Sequence, residues 1–255
     1  MFEINDLLKS FGGVTAIANL GFQVPEGQVY SVIGPNGAGK TTLFNLLCGI
    51  YQPDEGEIRF EGKTVTGLAP FQIAQLGVSR TFQNLQVFFN MTALENVLVG
   101  CHLRTQSGLL QGLFRSPRVR REEQQVRDWS KAALQFCGLD QYQDQQADAL
   151  PYGVLKRLEI ARALASQPRL LLLDEPAAGL NDTETTEMLD LIRRISDSGI
   201  TVILVEHNMN LVMKVSDQIL VLNYGSRLAE GSPQIIQQND EVIAAYLGGE
   251  VRYAV

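Results

Sequence analysis

Two short stretches carry residues able to do phosphate chemistry. The first is Gly34-Pro-Asn-Gly-Ala-Gly-Lys-Thr-Thr42, in which Gly34, Gly39, Lys40 and Thr41 meet the G-x-x-x-x-G-K-[ST] spacing. Glycines so placed let backbone N–H groups converge on phosphate oxygens. A helix opening at Lys40 adds the positive end of its dipole. Gly34, Asn36, Gly37, Ala38, Gly39, Lys40, Thr41 and Thr42 are therefore candidate phosphate-binding residues. Lys40 is expected to reach the terminal phosphates and the Thr41 hydroxyl to hold Mg2+. The second stretch, Leu170-Leu-Leu-Leu-Asp-Glu175, is an apolar run ending in two carboxylates. Hydrolysing a nucleotide needs one carboxylate near Mg2+ and a group that orients water. Asp174 suits the first role and Glu175 the second, as general base. Many strands end in an acidic turn, so the pair gains its meaning only from the P-loop upstream.

The surrounding pattern supplies elements to position both stretches. Val29–Ile33 is an apolar run that reads as a buried strand, and Leu43, Phe44, Leu46 and Leu47 read as one face of a helix. Strand, glycine loop and helix form the context the motif requires. Residues 1–33 alternate as β-structure, with a turn at Ser10-Phe-Gly-Gly13, and Glu61-Gly62 reads as a hairpin turn. Val78–Phe82 reads as a strand ending at Gln83. Met91–Val99 is a helix with Thr92 as N-cap, and Val119–Cys137 an amphipathic helix with Trp129 as a core anchor. Ser107–Pro117 is glycine-containing and reads as a surface insertion. Further on, Leu158, Ala161, Leu164 and Ala165 mark a helix. Met188, Leu191, Ile192 and Ile195 mark another, capped near Asn181 or Asp182. Ile200–Val205 and Ile219–Leu222 read as buried strands, and short helices close the chain. This alternation predicts an α/β fold with a mainly parallel sheet covered on both faces.

The whole chain narrows the function further. Its 255 residues are 45% hydrophobic and 19% charged, with a formal charge of −7, which does not suit a nucleic-acid surface. The basic run Arg115–Arg121 is followed at once by Glu122 and Glu123 and reads as a solvated helix start. Cys48, Cys101 and Cys137 lack metal-ligand spacing and read as buried free thiols in apolar surroundings. The start, Met1–Asp6, has neither a basic stretch nor a long apolar run, so no signal peptide is expected. No run of about eighteen apolar residues is present, so membrane association is expected through a partner.

The order of P-loop, Gln83, Leu150-Pro-Tyr-Gly-Val154, Leu170–Pro176 and His207 resembles the ATP-binding cassette (ABC) ATPases over residues 3–248. The resemblance implies a P-loop NTPase core with an N-terminal antiparallel β subdomain, over 1–84 and 166–255. It also implies an inserted α-helical subdomain over 85–165. ATP and Mg2+ become the expected ligands. Phe11 becomes the adenine-stacking residue, although a core aromatic is the plain alternative. Gln83 becomes a sensor of Mg2+ and the γ-phosphate, and His207 the switch histidine that contacts the γ-phosphate. Alone, Gln83 would be a polar strand end and His207 a capped or solvated residue.

At the positions of the family's Leu-Ser-Gly-Gly-Gln signature stand Leu150, Pro151, Tyr152, Gly153 and Val154. The serine and glutamine are both absent. Tyr152 and Gly153 remain at a helix start, where N–H groups can face the nucleotide of an opposite protomer. Ala178-Gly-Leu-Asn181 stands where the family often has Ser-Ala-Leu-Asp. Together with Ser79-Arg-Thr-Phe-Gln-Asn84, these departures are similar to the larger ATPase subunit of bacterial branched-chain and neutral amino-acid importers. That implies a second ATPase protomer, either a homologous subunit or another copy of this chain, and the absence of the signature serine at Pro151 points toward a heterodimer. It also implies two membrane permeases, a periplasmic solute-binding protein, and a place on the cytoplasmic face of the inner membrane. A lipid or lipopolysaccharide exporter ATPase and a soluble non-transport ABC ATPase remain open at this point, as does, more remotely, a small-molecule P-loop kinase.

Overall fold

The structure, a computed structural model, describes residues 1–104 and 117–247. Part of the expected insertion, 105–116, lies outside the described residues. The first sheet is antiparallel, in the order β2-β1-β4-β5, from β1 (Phe2–Phe11), β2 (Val14–Val24), β4 (Glu55–Phe60) and β5 (Lys63–Thr64). The second has the order β10-β9-β3-β8-β7-β6, from β3 (Val29–Ile33), β6 (Val78–Arg80), β7 (Leu170–Asp174), β8 (Thr201–Val205), β9 (Gln218–Asn223) and β10 (Ser226–Gly231). All its pairings are parallel except β9–β10.

The side-chain period of two explains why the parallel strands read as unbroken apolar runs. Leu171 and Leu173 of β7, with Val202 and Leu204 of β8, enter one core. Leu170, Leu172, Ile203 and Val205 enter the other. That second core receives α1 (Lys40–Leu47) through Leu43, Phe44, Leu46 and Leu47 and α2 (Pro70–Gln75) through Ile73, together with the first sheet. On the opposite face lie α6 (Asp182–Asp197) and the helices α3 (Ala93–Gly100), α4 (Pro117–Phe136) and α5 (Tyr152–Ala165). Leu172 is fully buried in the second core. Leu172→Ala is expected to cost about 2–5 kcal/mol of stability through transfer and cavity terms. A shift in the denaturant midpoint would measure it.

Helix starts follow the expected capping chemistry. Thr92 accepts from the Glu95 N–H, and Asn181 from the Glu184 N–H, each within a capping box. Trp129 is only partly buried, with the Arg104 guanidinium stacked 3.1 Å from its ring centre. Three details differ from the sequence expectation. β6 ends at Arg80 rather than Phe82: the Thr81 N–H still donates to the Leu172 oxygen of β7, but the Phe82 N–H turns to the Glu159 carboxylate. β10 carries a mostly polar sequence and gave no apolar signal. Cys48 does not have wholly apolar surroundings: burial pushes its thiol up to about 11, while the nearby Arg80 guanidinium pulls it the other way.

Candidate active site

Four neighbouring parallel strands, β3, β8, β7 and β6, deliver their C-terminal ends to one edge of the sheet. From that edge continue, in strand order, the Gly34 loop, Glu206-His207, Asp174-Glu175 and the segment to Gln83. Ligands of open α/β sheets bind outside such carboxyl ends.

The loop is shaped by close backbone approach. A Cβ on Gly39, at φ 103°, would lie 2.5 Å from the Ala16 carbonyl oxygen. One on Gly34 would lie 2.2 Å from the Leu222 carbonyl oxygen. The β1–β2 hairpin and the β9–β10 turn therefore hold the loop from outside. Asn36, Gly37 and Thr41 are exposed, Gly39 and Thr42 half-buried, Gly34 and Ala38 buried. The Ala38 N–H donates within the loop, to the Pro35 carbonyl at 3.1 Å. No side chain caps α1, which leaves its first-turn amides for an anion. The Lys40 ammonium folds back, donating to the Gly34 oxygen at 2.7 Å and the Pro35 oxygen at 3.0 Å. Burial lowers its pKa, and the carboxylates of Glu175 and Asp174 oppose that shift.

Glu175 has φ 49°, a left-handed conformation uncommon outside glycine, and its N–H donates to the Val205 oxygen. Its carboxylate lies between two of the predicted residues. His207 Nε2 stands 2.9 Å from Oε1, and Gln83 Nε2 donates to Oε2 at 3.3 Å. Gln83, Glu175 and His207 thus form one cluster. Asp174, almost fully buried, is instead paired with Arg80, whose Nη2 donates to Oδ2 at 2.8 Å.

The remaining predicted residues make other contacts. Phe11 ends β1 with its ring 42% exposed, edge-on to Tyr51 at 5.1 Å and 5.3 Å from the Lys9 ammonium. An exposed ring face can take a planar base. Tyr152 and Gly153 open α5 behind Pro151, with no side-chain cap. Their neighbours are α6 and the loop after Glu175. A Cβ on Gly153 would meet Glu184 Oε1 at 2.4 Å, and one on Gly179 would meet the Tyr152 ring at 3.1 Å.

Sequence reasoning missed four residues that organise these loops. Buried Glu206 accepts from the Ala177 N–H at 2.7 Å and from the His207 N–H at 2.9 Å, locking the segments after Glu175 and around His207 together. Glu159 and Arg162 on α5 hold the Gln83 segment. Glu159 accepts from the Phe82 N–H at 3.2 Å, and Arg162 donates to the Gln86 oxygen. Burial raises the Glu159 pKa, and that N–H opposes the rise. Arg80 is the fourth. The available signal was a charge inside an otherwise apolar stretch, and spacing alone cannot name its partner.

Comparison with known proteins points to one family. The ABC transporter family matches residues 17–178, and the branched-chain amino acid ATP-binding cassette transporter family matches residues 226–252. The high-affinity branched-chain amino acid transport ATP-binding protein BraF of Pseudomonas aeruginosa is 47% identical over 249 residues, covering 97% of this chain and 98% of that protein. LivG of Escherichia coli K12, of the same description, is 44% identical with the same coverage. Among solved structures, the ADP conformation of an ATP-binding cassette of an ABC transporter superposes with TM-score 0.85 at 31% identity, covering 97% of this chain and 98% of that one. The chain belongs to the ABC transporter family, among its branched-chain amino acid transport ATP-binding proteins.

Proposed function

We propose that this chain binds and hydrolyses Mg2+–ATP to energise import of branched-chain or other hydrophobic and neutral amino acids through partner permeases. The observation that carries the hydrolytic part is Glu175, held between His207 and Gln83 and close enough to Lys40 to perturb it. The named function of the BraF and LivG relatives supports amino-acid transport over lipid export.

The residues fit the expected ligands. Uncapped amides of α1, the glycine loop and the Lys40 ammonium suit a polyphosphate. The Phe11 face suits adenine. Mg2+ is held by few protein groups, one or two of them carboxylates, with phosphate oxygens and water completing its shell, so the Thr41 hydroxyl, the Asp174 carboxylate and the Gln83 amide oxygen suffice as its donors. Among the described residues no cluster of three or more metal-binding side chains is present, and such a site needs none. When bound, Mg2+ neutralises charge on the β- and γ-phosphates. Lys40 leaves the loop carbonyls for phosphate oxygens, Glu175 orients water and accepts its proton, and His207 and Gln83 hold Glu175 and sense the γ-phosphate.

Tyr152 and Gly153 stand beside Glu184 on α6 and Gly179 after Glu175, and their match to the family's signature positions supports a role toward the nucleotide of an opposite protomer. Pro151 offers neither hydroxyl nor N–H there. The second ATPase is therefore read as a distinct chain with a complete signature, giving a heterodimer under two permeases, with a periplasmic binding protein supplying solute. We read 85–165 as the helical subdomain of this unit. No helix among the described residues is long and apolar enough to cross a membrane. The cytoplasmic face of the inner membrane is then reached through the permeases. A groove of about 720 Å3 between the Gln83 segment and α5, lined by Phe82, Gln86, Phe88, Glu159 and Arg162, is the place for a permease segment to dock.

Two measurements test this. In vesicles holding the assembled permeases, both ATPases and the binding protein, labelled leucine uptake is expected to require ATP. No uptake of any hydrophobic or neutral amino acid would refute the transport reading. ATPase activity of the chain alone is expected to be a small fraction of that with its partner, and full activity as a homodimer would refute the asymmetry.

A further inference from the structure

Arg80 is the last residue of β6, three positions before Gln83, and its guanidinium reaches three elements at once. Nη2 donates to Asp174 Oδ2 at 2.8 Å, and Nη1 donates to Asn45 Oδ1 at 2.7 Å. The cation also lies 5.4 Å from the centre of the Phe44 ring and 5.3 Å from that of Phe82. The Arg80 and Asp174 side chains are 8% and 6% exposed. The remaining donor, Nε, is buried without a hydrogen-bond partner.

Stability alone does not select this arrangement. A buried ion pair often contributes no more than well-packed apolar residues of the same volume, and a bare buried donor weakens it further. Geometry is what the planar fork does supply. A guanidinium fixes two acceptors at a set angle, which an ammonium cannot do. One acceptor here belongs to the carboxylate at the end of β7. The other sits on α1, one helical turn after Thr41.

We propose that Arg80 is a positioning residue of the hydrolytic site. By bridging Asp174 to Asn45 it fixes the carboxylate and the Thr41 turn relative to each other, as a divalent cation shared between them requires. Because the same residue leads into Thr81–Gln83, displacement of that segment is passed to Asp174. The Thr81 backbone N–H donates to the Leu172 oxygen and its hydroxyl accepts from the Asp174 N–H, so the two strand ends move as one unit. This inference rests on Asp174 and Thr41 as the Mg2+ donors.

The test compares wild type, Arg80→Lys and Asn45→Ala in the full chain and in the assembled transporter. Four quantities are measured: the denaturation midpoint, ATP affinity in EDTA, the enhancement of that affinity by Mg2+, and turnover against Mg2+ concentration. Lysine keeps the charge beside Asp174, so Arg80→Lys is expected to hold its denaturation midpoint and its affinity in EDTA. Partners that orient metal ligands typically carry about 10–100-fold in metal affinity or activity. Arg80→Lys is expected to lose that much of the Mg2+ enhancement and of turnover. Asn45→Ala removes only one arm and shifts both quantities in the same direction by less. Wild-type Mg2+ dependence in both variants overturns the proposal. So does a loss of affinity in EDTA as large as the loss in Mg2+, which marks a structural role. A wild-type chain whose ATP affinity ignores Mg2+ refutes the donor assignment beneath it, an outcome distinct from either.

Discussion

Glu175→Gln is expected to stop turnover while leaving ATP bound. The reasoning begins with the backbone. Val205 accepts the Glu175 N–H, and the residue sits at φ 49°, so its side chain leaves the end of β7 in a direction an ordinary strand residue would not take. The carboxylate then has two named contacts, His207 Nε2 and Gln83 Nε2, both from neighbouring strand ends. Glutamine keeps the size and most of the hydrogen-bonding capacity, but it cannot accept a proton from water. General-base catalysis contributes about 10²–10⁴-fold to such reactions, and phosphate release is expected to fall by that factor. Nucleotide affinity should hold or rise, because a negative charge close to the phosphates has been removed. Parallel assays of phosphate release and equilibrium ATP binding check this. A variant that turns over at the wild-type rate removes Glu175 from the mechanism.

How far the sequence foretold this site depends on how local each interaction is. The Gly34–Thr42 loop and its flanking strand and helix are contiguous, so spacing and periodicity were enough to place them. Asp174 and Glu175 were legible because they close a run of leucines buried on both faces, whereas His207, just beyond a similar run, took its role from the family resemblance. That these ends meet follows from strand order, which no single segment encodes. Arg80, Glu206 and Glu159 were illegible for a related reason. Each is a charged residue beside an apolar element, and its purpose appears only with a partner 29 to 94 positions away. β10 was missed because only Leu228 and Ala229 in it are apolar, too short a signal to mark a strand, although both pack against a core cluster. Phe11 was named by resemblance, and its packing against Tyr51 could not be read from spacing.

Lys40→Ala is expected to be the most severe change at the binding step. Lys40 is 7% exposed and burial disfavours its charge, yet it has two nearby carboxylates and two loop carbonyls to sustain it. Those carbonyls belong to Gly34 and Pro35, so the lysine braces the very loop proposed to hold phosphate. Alanine removes the brace and the cation together. Hydrogen bonds to charged groups contribute about 1.5–3 kcal/mol each, so ATP affinity should fall roughly 10–150-fold and turnover with it. A loosened loop can also lower stability without nucleotide, so affinity alone would not separate the two effects. Ligand-dependent melting does. Wild type should gain about 2.7 kcal/mol of stability at 100 times its dissociation constant of Mg2+–ATP. Lys40→Ala should gain only about 0.3–1.4 kcal/mol at that concentration, whatever its own starting midpoint. If the variant melts with the same ATP-dependent shift and hydrolyses at the same rate, the loop does not hold phosphate through Lys40. The stabilising contacts must then come from the backbone amides alone, with the ammonium left as a structural tie between Gly34 and Pro35.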